Sequence, residues 1–317
     1  MSEALKPLFA LDIGTDGAWE PTQPNASIKG RCRWMHFDLA TSELRSWCRK
    51  HLPQSATRNL LAAKTRPRVD QIDDGLFLTL RGVNLNEGDD QADMVSLRLW
   101  MTADDVISVR RQNVFATTTI RHQIEEGDTP DSPTALVARL AEHITTQIED
   151  VADDLEQKAS LLENAIGSQD PDLPTKIAEL SRAVIKFRRH IGPQGDALQL
   201  LAEIESPAIE DKLRNRLRQI AGRTKRAQEE LSEIRDRLTT LNEQLMMTQS
   251  ARIGRNSYLL SVAAAIFLPL SFITSLVGLR FSQLPWEDHP QAFLLYCGGM
   301  VVLGLILFVI FRISRLL

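Results

Sequence analysis

One stretch near the end of the chain decides the fold: residues 263–311, AAAIFLPLSFITSLVGLRFSQLPWEDHPQAFLLYCGGMVVLGLILFVIF. It covers most of two uncharged runs, Tyr258–Leu279 with 22 residues and Ala292–Phe311 with 20, and the short loop between them. About 20 apolar residues cross the ~30 Å hydrocarbon core of a bilayer. Two such runs in tandem predict a membrane hairpin with spans 258–279 and 292–311, rather than two helices buried in a soluble core.

The charges around these runs predict the topology. Basic residues precede the first run and follow the second: Arg252, Arg255, Arg312 and Arg315. The loop sets Arg280 against Glu287 and Asp288, and Trp286 is placed to anchor it at the interface. The positive-inside rule therefore predicts a multi-pass protein of the inner (plasma) membrane with both termini in the cytoplasm.

Composition and motifs exclude several classes of function. The formal net charge of -4 does not indicate a nucleic-acid-binding surface. The three cysteines Cys32, Cys48 and Cys297 are far apart, which favours reduced thiols in a cytosolic compartment. We expect no cleaved signal peptide, no nucleotide-driven pump and no organic cofactor, because the motifs for each are missing. No catalytic constellation follows from residue spacing, so we predict that the protein is not an enzyme.

The chain before the membrane has two parts. Short runs with period-two alternation and turn residues between them predict an α/β cytosolic domain over 1–132: RWMHFDL (33–39), GLFLTLRGVNL (75–85), DMVSLRLWMT (93–102) and DVISVRRQNVF (105–115). A helical region is predicted over 133–256 and a transmembrane domain over 257–317. The predicted fold class is thus an α/β cytosolic domain, a long stalk helix and two transmembrane helices.

Three helices are predicted in the helical region. The first ends at the breaker GSQDPDLP (167–174), and the second, TKIAELSRAVIKFRRHI (175–191), ends at GPQG (192–195). The third has no internal proline between Pro207 and Pro269. If it runs unbroken from Pro207 to Leu279, its length is ~110 Å at 1.5 Å per residue. Such a helix forms a stalk that continues as the first span, which suits an oligomer whose stalks bundle around an axis.

A stripe of small, mostly polar residues follows this third helix with a period of 3.5, the period that keeps one face toward the axis of a left-handed bundle. We name it the seam, and it consists of Asp236, Thr240, Glu243, Met247, Ser250, Gly254, Ser257, Ser261, Ala264, Leu268, Ser271, Ser275 and Gly278. Small residues on a membrane helix serve either close helix packing or a lining wetted by water and ions. In the second case Met247 and Leu268 are apolar constrictions, and Asp236 and Glu243 form rings of carboxylates that suit divalent cations.

Four strings of sequence carry a family resemblance: 64–86 (KTRPRVDQIDDGLFLTLRGVNLN), 93–116 (DMVSLRLWMTADDVISVRRQNVFA), 187–201 (FRRHIGPQGDALQLL) and 263–279 (AAAIFLPLSFITSLVGL). Over nearly its whole length the chain resembles the CorA superfamily of divalent-cation transporters, in particular its ZntB-like zinc branch. The resemblance implies a funnel-shaped homopentamer, with cytosolic α/β domains, five stalk helices lining a central pore and the second spans packed outside.

The chain departs from the family at the outer end of the first span. The family has a Gly-x-Asn motif there, whose asparagine contributes to the external selectivity ring. Here the three positions are Gly278, Leu279 and Arg280. A guanidinium has five donors and no acceptor, so a ring of them repels a divalent ion unless the arginines turn outward or pair with loop carboxylates. Three alternatives stay open: Arg280 reaches the lipid headgroups, alters ion selectivity, or marks a transporter that has lost high flux.

Two acidic clusters could also bind cations. Glu287, Asp288 and His289 in the loop combine carboxylates with an imidazole, which suits zinc. They form either a transient capture ring shared between subunits or a solvated loop. In the first long helix, carboxylates repel one another at i,i+4 spacing: Glu149, Asp150, Asp153 and Asp154. These form a regulatory cation site, a solvated face, or pairs with the stalk residues Arg214, Arg218 and Arg226.

The sequence thus predicts a divalent-cation transporter or channel that carries Zn²⁺ as its substrate, by passive or gradient-coupled transport. Its partners are the lipid membrane, divalent cations and identical subunits in a pentamer, and the candidate metal ligands are Glu243, Glu287, Asp288 and His289. The rivals are a channel for Mg²⁺, Ni²⁺ or Co²⁺, a membrane sensor or scaffold with a vestigial pore, and an anion-conducting pore.

Overall fold

The computed structural model describes residues 5–14, 17–28, 30–168, 170–205, 209, 211–278 and 291–313. The chain divides into two compact units, 1–242 and 243–317. One long helix belongs to both of them. The domain boundaries predicted at 132/133 and 256/257 remain predictions.

Unit 1 contains, in its described residues, a seven-stranded sheet in the order β2-β1-β3-β7-β6-β5-β4. Its strands are β1 Phe9–Ile13, β2 Trp19–Pro21, β3 Cys32–Asp38, β4 Arg68–Ile72, β5 Gly75–Gly82, β6 Val95–Met101 and β7 Asp105–Arg110. Only β3 and β7 pair in parallel. The four predicted strands are β3, β5, β6 and β7, which occupy the middle of the sheet. Sequence analysis missed β1 and the edge strands β2 and β4.

The helices of the described residues are α1 Leu44–His51, α2 Gln54–Leu60, α3 Phe115–Glu125, α4 Pro133–Asn164, α5 Leu173–Glu203, α6 Asp211–Gly278 and α7 Ala292–Ile313. Helices α1 and α2 cover one face of the sheet, where Trp47 packs in a cluster with Phe77 and Trp100. The other face carries α4, whose Ile144 approaches Gly82. Because both faces are covered, polar residues of the alternating pattern such as His36 and Arg98 are buried.

The first long helix, α4, confirms its prediction. It begins at Pro133, which has no N–H and therefore loses nothing at the first turn of a helix. Ser132 precedes it as N-cap, and its side chain accepts a hydrogen bond from the N–H of Ala135 at 3.2 Å. The helix ends at Asn164, close to the predicted breaker.

The second long helix, α5, corrects its prediction. It continues through Gly192 and Pro193 to Glu203 rather than ending at residue 191. A proline inside a helix removes one hydrogen bond, so packing must compensate for it. Gly192 is buried, and a Cβ there would lie 3.2 Å from the side chain of Gln228 on α6. The glycine therefore allows α5 and α6 to approach closely, and this contact keeps the helix continuous where local propensity predicts an end.

The third long helix, α6, has 68 residues from Asp211 to Gly278, close to the predicted 207–279. Within unit 1 it buries a stripe with alternating steps of three and four residues: Leu217, Ile220, Thr224, Ala227, Leu231, Ile234, Leu238 and Leu241. This is the pattern of a helix that packs along its length against neighbouring helices. Leu241 is the last member, next to the boundary between the units.

Unit 2 consists, where the structure describes it, of the rest of α6 and of α7. In the described residues, one helix contains an apolar stretch long enough to cross a membrane, and that stretch is almost entirely exposed within the chain. The apolar part of α7, Leu294–Ile310, is shorter. Helix α7 packs against α6 at Gly304: a Cβ added to this glycine would be in van der Waals contact with Cδ1 of Leu270, at 3.8 Å.

Candidate ion pathway

The first residues of the seam, in unit 1, lie on the exposed side of α6. Asp236 and Thr240 follow the buried residues Ile234 and Leu238 by two positions, which is about 200° around a helix. Both are exposed. In unit 1 the seam is therefore opposite the face by which α6 is attached to the rest of the unit. The heptad pattern of the sequence places it there.

In unit 2 the seam residues from Glu243 to Ser275 are all exposed in the single chain. The two predicted constrictions are the clearest cases, with Met247 69% and Leu268 70% exposed. Large apolar residues beside the seam, such as Leu260 and Phe267, are exposed as well. In unit 2 the seam residues and the apolar residues beside them are thus equally exposed in a single chain. The seam is distinguished from its neighbours by residue type and not by exposure.

Seam hydroxyls donate their hydrogen bonds into the helix. Ser261 Oγ donates to the carbonyl of Ser257 at 3.0 Å, and Thr240 Oγ1 donates to that of Asp236 at 3.1 Å. A hydroxyl whose proton is held this way presents its oxygen lone pairs outward. Such oxygens suit the hydration water of a cation or the cation itself.

The two seam carboxylates differ in their surroundings. Asp236 accepts from the neighbouring Arg235, with Nε 2.8 Å from Oδ1, so its charge is partly compensated. Glu243 forms no ion pair with any described residue. The described part of one chain contains no group of three or more side chains that could hold a metal ion. Among the described residues of one chain, Glu243 therefore has no side chains beside it that would complete a metal site.

The remaining predicted site residues lie at or beyond the end of the described helix. Gly278 is the last residue of α6. Leu279, Arg280, Glu287, Asp288 and His289 lie outside the described residues. The selectivity position and the loop ligands therefore remain predictions.

A ladder of ion pairs joins α4 to α6, and we call it the charge ladder. Glutamates recur every seven residues on α4, and arginines on α6 follow the same spacing with one step left out: Glu142, Glu149, Glu156 and Glu163 face Arg216, Arg223 and Arg237. Arg216 Nη2 lies 2.5 Å from Glu142, Arg223 Nε lies 2.9 Å from Glu149, and Arg237 Nη2 lies 2.6 Å from Glu163. The spacing of seven residues, shared by the glutamates of α4 and the arginines of α6, could have predicted these pairs from the sequence.

The ladder corrects the predicted partners of the acidic cluster. Stalk arginines do bind it, but through Arg223 and not through the predicted set. Arg214 instead donates to the carbonyls of Ala202 and Ile204, at 3.3 and 2.6 Å, and Arg218 donates to Asn215. The positions differ because the buried stripe of α6 fixes which residues face α4.

One step of the ladder carries the wrong charge. The arginine repeat 216, 223, 237 has Glu230 at its missing step. Partial desolvation raises the pKa of Glu230, although the residue is exposed overall, and the nearby carboxylates of Asp153 and Glu149 raise it further. The folded protein thus holds the proton of Glu230 more tightly than the unfolded chain does.

We expect Glu230→Gln to stabilise unit 1 at neutral pH by about 0.3–0.5 kcal/mol, a small value because the site is exposed to solvent. Because the folded pKa is raised, the destabilisation by Glu230 is complete above that pKa and disappears below the unfolded pKa. The stabilisation by Glu230→Gln should therefore disappear at pH values below the unfolded pKa of Glu230. Denaturant unfolding across pH measures it, with the exposed Glu179→Gln on α5 as control. An equal gain at all pH values would contradict the assignment.

The family model described as CorA-like Mg2+ transporter protein matches residues 29–312 of this sequence. The chain belongs to the CorA-like family. It is 30% identical over 272 residues to the "Zinc transport protein ZntB" of Pectobacterium carotovorum, covering 85% of this chain and 83% of that protein. It is 31% identical to the "Divalent cation transporter CmaX" of Pseudomonas aeruginosa, covering 84% and 83%. The solved structure of full-length CmaX superposes with a TM-score of 0.84 at 27% identity, over 99% of both chains.

These comparisons establish the general class of function. The protein is a divalent-cation transporter, a membrane protein and not an enzyme, as the sequence predicted. The predicted fold class is confirmed: an α/β part, a long helix and apolar helices, as in the fold of the CmaX structure.

Proposed function

We propose that the chain assembles as a homopentamer that carries Zn²⁺ across the inner membrane, passively or coupled to an ion gradient. The observation that carries the proposal is the seam of α6, a stripe of mostly small and polar residues whose first members, Asp236 and Thr240, lie opposite the buried face of the helix. Similarity to zinc transport proteins named ZntB favours zinc among the divalent cations.

The seam favours a symmetric assembly because one helix cannot form a pathway alone. Its hydroxyls, glycine and carboxylates lie on a helix otherwise rich in exposed leucine and phenylalanine. Polar groups are costly in lipid unless they face one another or water. Around a common axis, the seams would line a hydrated path, and the apolar flanks would contact lipid or neighbouring helices.

The residues of the seam suggest distinct tasks in transport. Glu243, repeated around the axis, attracts cations to the cytosolic mouth of the membrane segment. Ser257, Ser261 and Ser271 offer oxygen atoms to a hydrated ion. Met247 and Leu268 narrow the path with apolar side chains, which can close it by excluding water. The basic residues outside both spans favour a cytoplasmic location for the two termini.

A flux assay on purified protein in liposomes tests the proposal. We expect Zn²⁺ to enter protein-containing vesicles faster than empty ones and a tenfold excess of Mg²⁺ to leave most of that uptake intact. The family model is described by magnesium transport, so a Mg²⁺ channel is the second candidate. Uptake of Mg²⁺ with little Zn²⁺ uptake would select the second candidate, and no flux of either ion would remove both.

Neutralising the unpaired seam carboxylate should weaken cation capture. For Glu243→Gln we expect Zn²⁺ uptake to fall on the order of tenfold at low ionic strength, because converging carboxylates raise the local cation concentration. The loss should shrink in high salt, which screens the attraction. Glu179→Gln, an exposed carboxylate on α5, serves as the matched control. Unchanged uptake and unchanged zinc binding in Glu243→Gln would exclude this residue from the pathway.

A further inference from the structure

Two arginines lie on α6 just before its uncharged run, on the side opposite the seam. Arg252 follows the seam residue Ser250 by two positions. Arg255 precedes the seam residue Ser257 by two positions. Two positions correspond to about 200° around a helix. Both arginines are exposed in the chain. In a bundle whose seams face a common axis, both guanidinium groups therefore point away from that axis.

Neither arginine has a counter-charge among the described residues. Neither side chain forms a hydrogen bond or an ion pair with any of them. The sequence contains no carboxylate side chain between Glu243 and Glu287. Arg252 is the nearer of the two to Glu243, and the nine residues between these positions extend ~14 Å along a helix. Both positive charges are therefore available to an anionic partner outside the chain.

The two arginines lie next to the predicted boundary of the membrane. Tyr258, the first residue of the uncharged run, follows Arg255 by three positions, which is ~4.5 Å along the helix. Tyrosine is typical of the level at which lipid headgroups meet the hydrocarbon core. An arginine side chain is long enough to lie along an apolar surface and place its charge among the headgroups. The position of Arg252 and Arg255 therefore favours contact with lipid headgroups.

Helix α7 packs on the same side of α6 as these arginines. Among the described residues of unit 2, Val262 is the one buried residue of α6, with 8% exposed. It follows Arg255 by seven positions, so the two residues project from nearly the same side of the helix. Within the described part of unit 2, α7 is the element that can cover this side, and it packs against Leu270 of α6.

The C-terminal half of α7 carries a shallow apolar groove of about 270 Å³. It is lined by Val302, Leu305, Ile306, Val309 and Ile310. At 1.5 Å per residue the groove extends ~12 Å along the helix, close to half of the ~30 Å hydrocarbon core. In the proposed topology this half of α7 lies in the cytoplasmic leaflet, the leaflet whose headgroups are nearest to the two arginines. The groove therefore fits one acyl chain of a lipid in that leaflet.

We propose that Arg252 and Arg255 bind the headgroup of an anionic phospholipid, with an acyl chain of the same lipid along the groove of α7. The inference rests on the proposed function for the direction of the two spans. Guanidinium groups form paired hydrogen bonds with phosphate, and two of them favour a headgroup with a net negative charge over a zwitterionic one. The lipid compensates the positive charge that the arginines place near the cytosolic mouth of the cation pathway.

Native mass spectrometry of the purified full chain tests the site by counting retained phospholipids. The protein in detergent is mixed with equal amounts of phosphatidylglycerol and phosphatidylcholine that carry the same acyl chains. We expect the wild type to prefer phosphatidylglycerol by about thirtyfold, which corresponds to ~1 kcal/mol for each arginine. Soluble glycerophosphoglycerol has the same headgroup without acyl chains, so it should not displace the lipid. Its displacement of the lipid would overturn the assignment.

The double variant Arg252→Gln/Arg255→Gln should lose the preference for phosphatidylglycerol. The variant Arg252→Lys/Arg255→Lys keeps both charges and should keep most of the preference. The matched control is Arg45→Gln/Arg49→Gln, which changes two exposed arginines of α1 in unit 1 and should behave like the wild type. If the double variant does not fold, the single variants decide, and each should lower the preference to about fivefold.

Two results would overturn the proposal: equal retention of the two lipids by the wild type, and an unchanged preference in the glutamine variants. The assay records bound lipid and not ion flux. A failed zinc flux assay would therefore leave this inference intact, and a failed lipid assay would leave the proposed transport intact.

Discussion

Arg280→Asn is expected to raise Zn²⁺ flux on the order of tenfold or more in liposomes. Arg280 follows the predicted first span, in the sequence Gly278-Leu279-Arg280, on the side that the proposed topology puts outside. In the proposed pentamer five guanidinium groups meet at one mouth, and charges converging on a cleft change ion entry rates by factors of about 10–1000. Asparagine removes the charge and supplies a carbonyl oxygen that can accept from the water around a cation.

Arg280→Lys is the matched control, because it keeps the charge and changes only the shape. We expect its flux to stay as low as that of the wild type. Equal zinc flux in wild type and Arg280→Asn would show that the arginine faces the lipid headgroups and not the pathway. A chloride-dependent reversal potential that disappears in Arg280→Asn would instead identify an anion pore.

Asp12→Asn is expected to destabilise unit 1 by about 3–5 kcal/mol, because it leaves a buried guanidinium without its counter-charge. Arg33 Nε lies 2.7 Å from Asp12 Oδ1, and Nη2 lies 3.0 Å from Oδ2, with both side chains less than 5% exposed. Arg33 also donates to the carbonyls of Ala26 and Ser27 at 2.7 and 2.8 Å. The pair thus joins β1 to β3 and holds the preceding loop.

Denaturant unfolding of the full chain, followed by the tryptophan fluorescence of unit 1, measures this loss. Arg68→Gln provides the comparison, because its ion pair with Asp70 has a similar distance of 2.9 Å but is half exposed. Exposed pairs contribute about 0–1 kcal/mol, so this variant should remain close to the wild type. Similar losses in the two variants would show that burial does not set the strength of the Asp12–Arg33 pair.

Much of the fold could be predicted because its signals are local. The uncharged run after Tyr258 and the absence of proline before Pro269 predicted α6 within a few residues of its observed ends. The central strands β5 and β6 were predicted from their alternating apolar residues. Strand β2 has three residues and β4 lies at the opposite edge, so neither buries enough apolar surface to leave a clear pattern.

The candidate ion pathway could be predicted from the sequence only in part. The seam follows from a period of 3.5, and its part in unit 1 does lie opposite the buried stripe of α6. The charge ladder had an equally regular spacing, but its pairs depend on which face of α6 meets α4. The contact between Thr79 and Arg98 had no pattern at all, because the two residues are 19 apart in sequence and are neighbours only through strand register.

The sequence by itself determined the membrane runs, the long helix and the stripe along it, since each depends on a repeat within one segment of chain. Only the tertiary structure decided that α5 continues through Pro193, that Arg223 rather than Arg226 binds Glu149, and that Arg98 is buried beside Thr79. These outcomes depend on contacts between segments distant in sequence, whose energies outweigh local propensity.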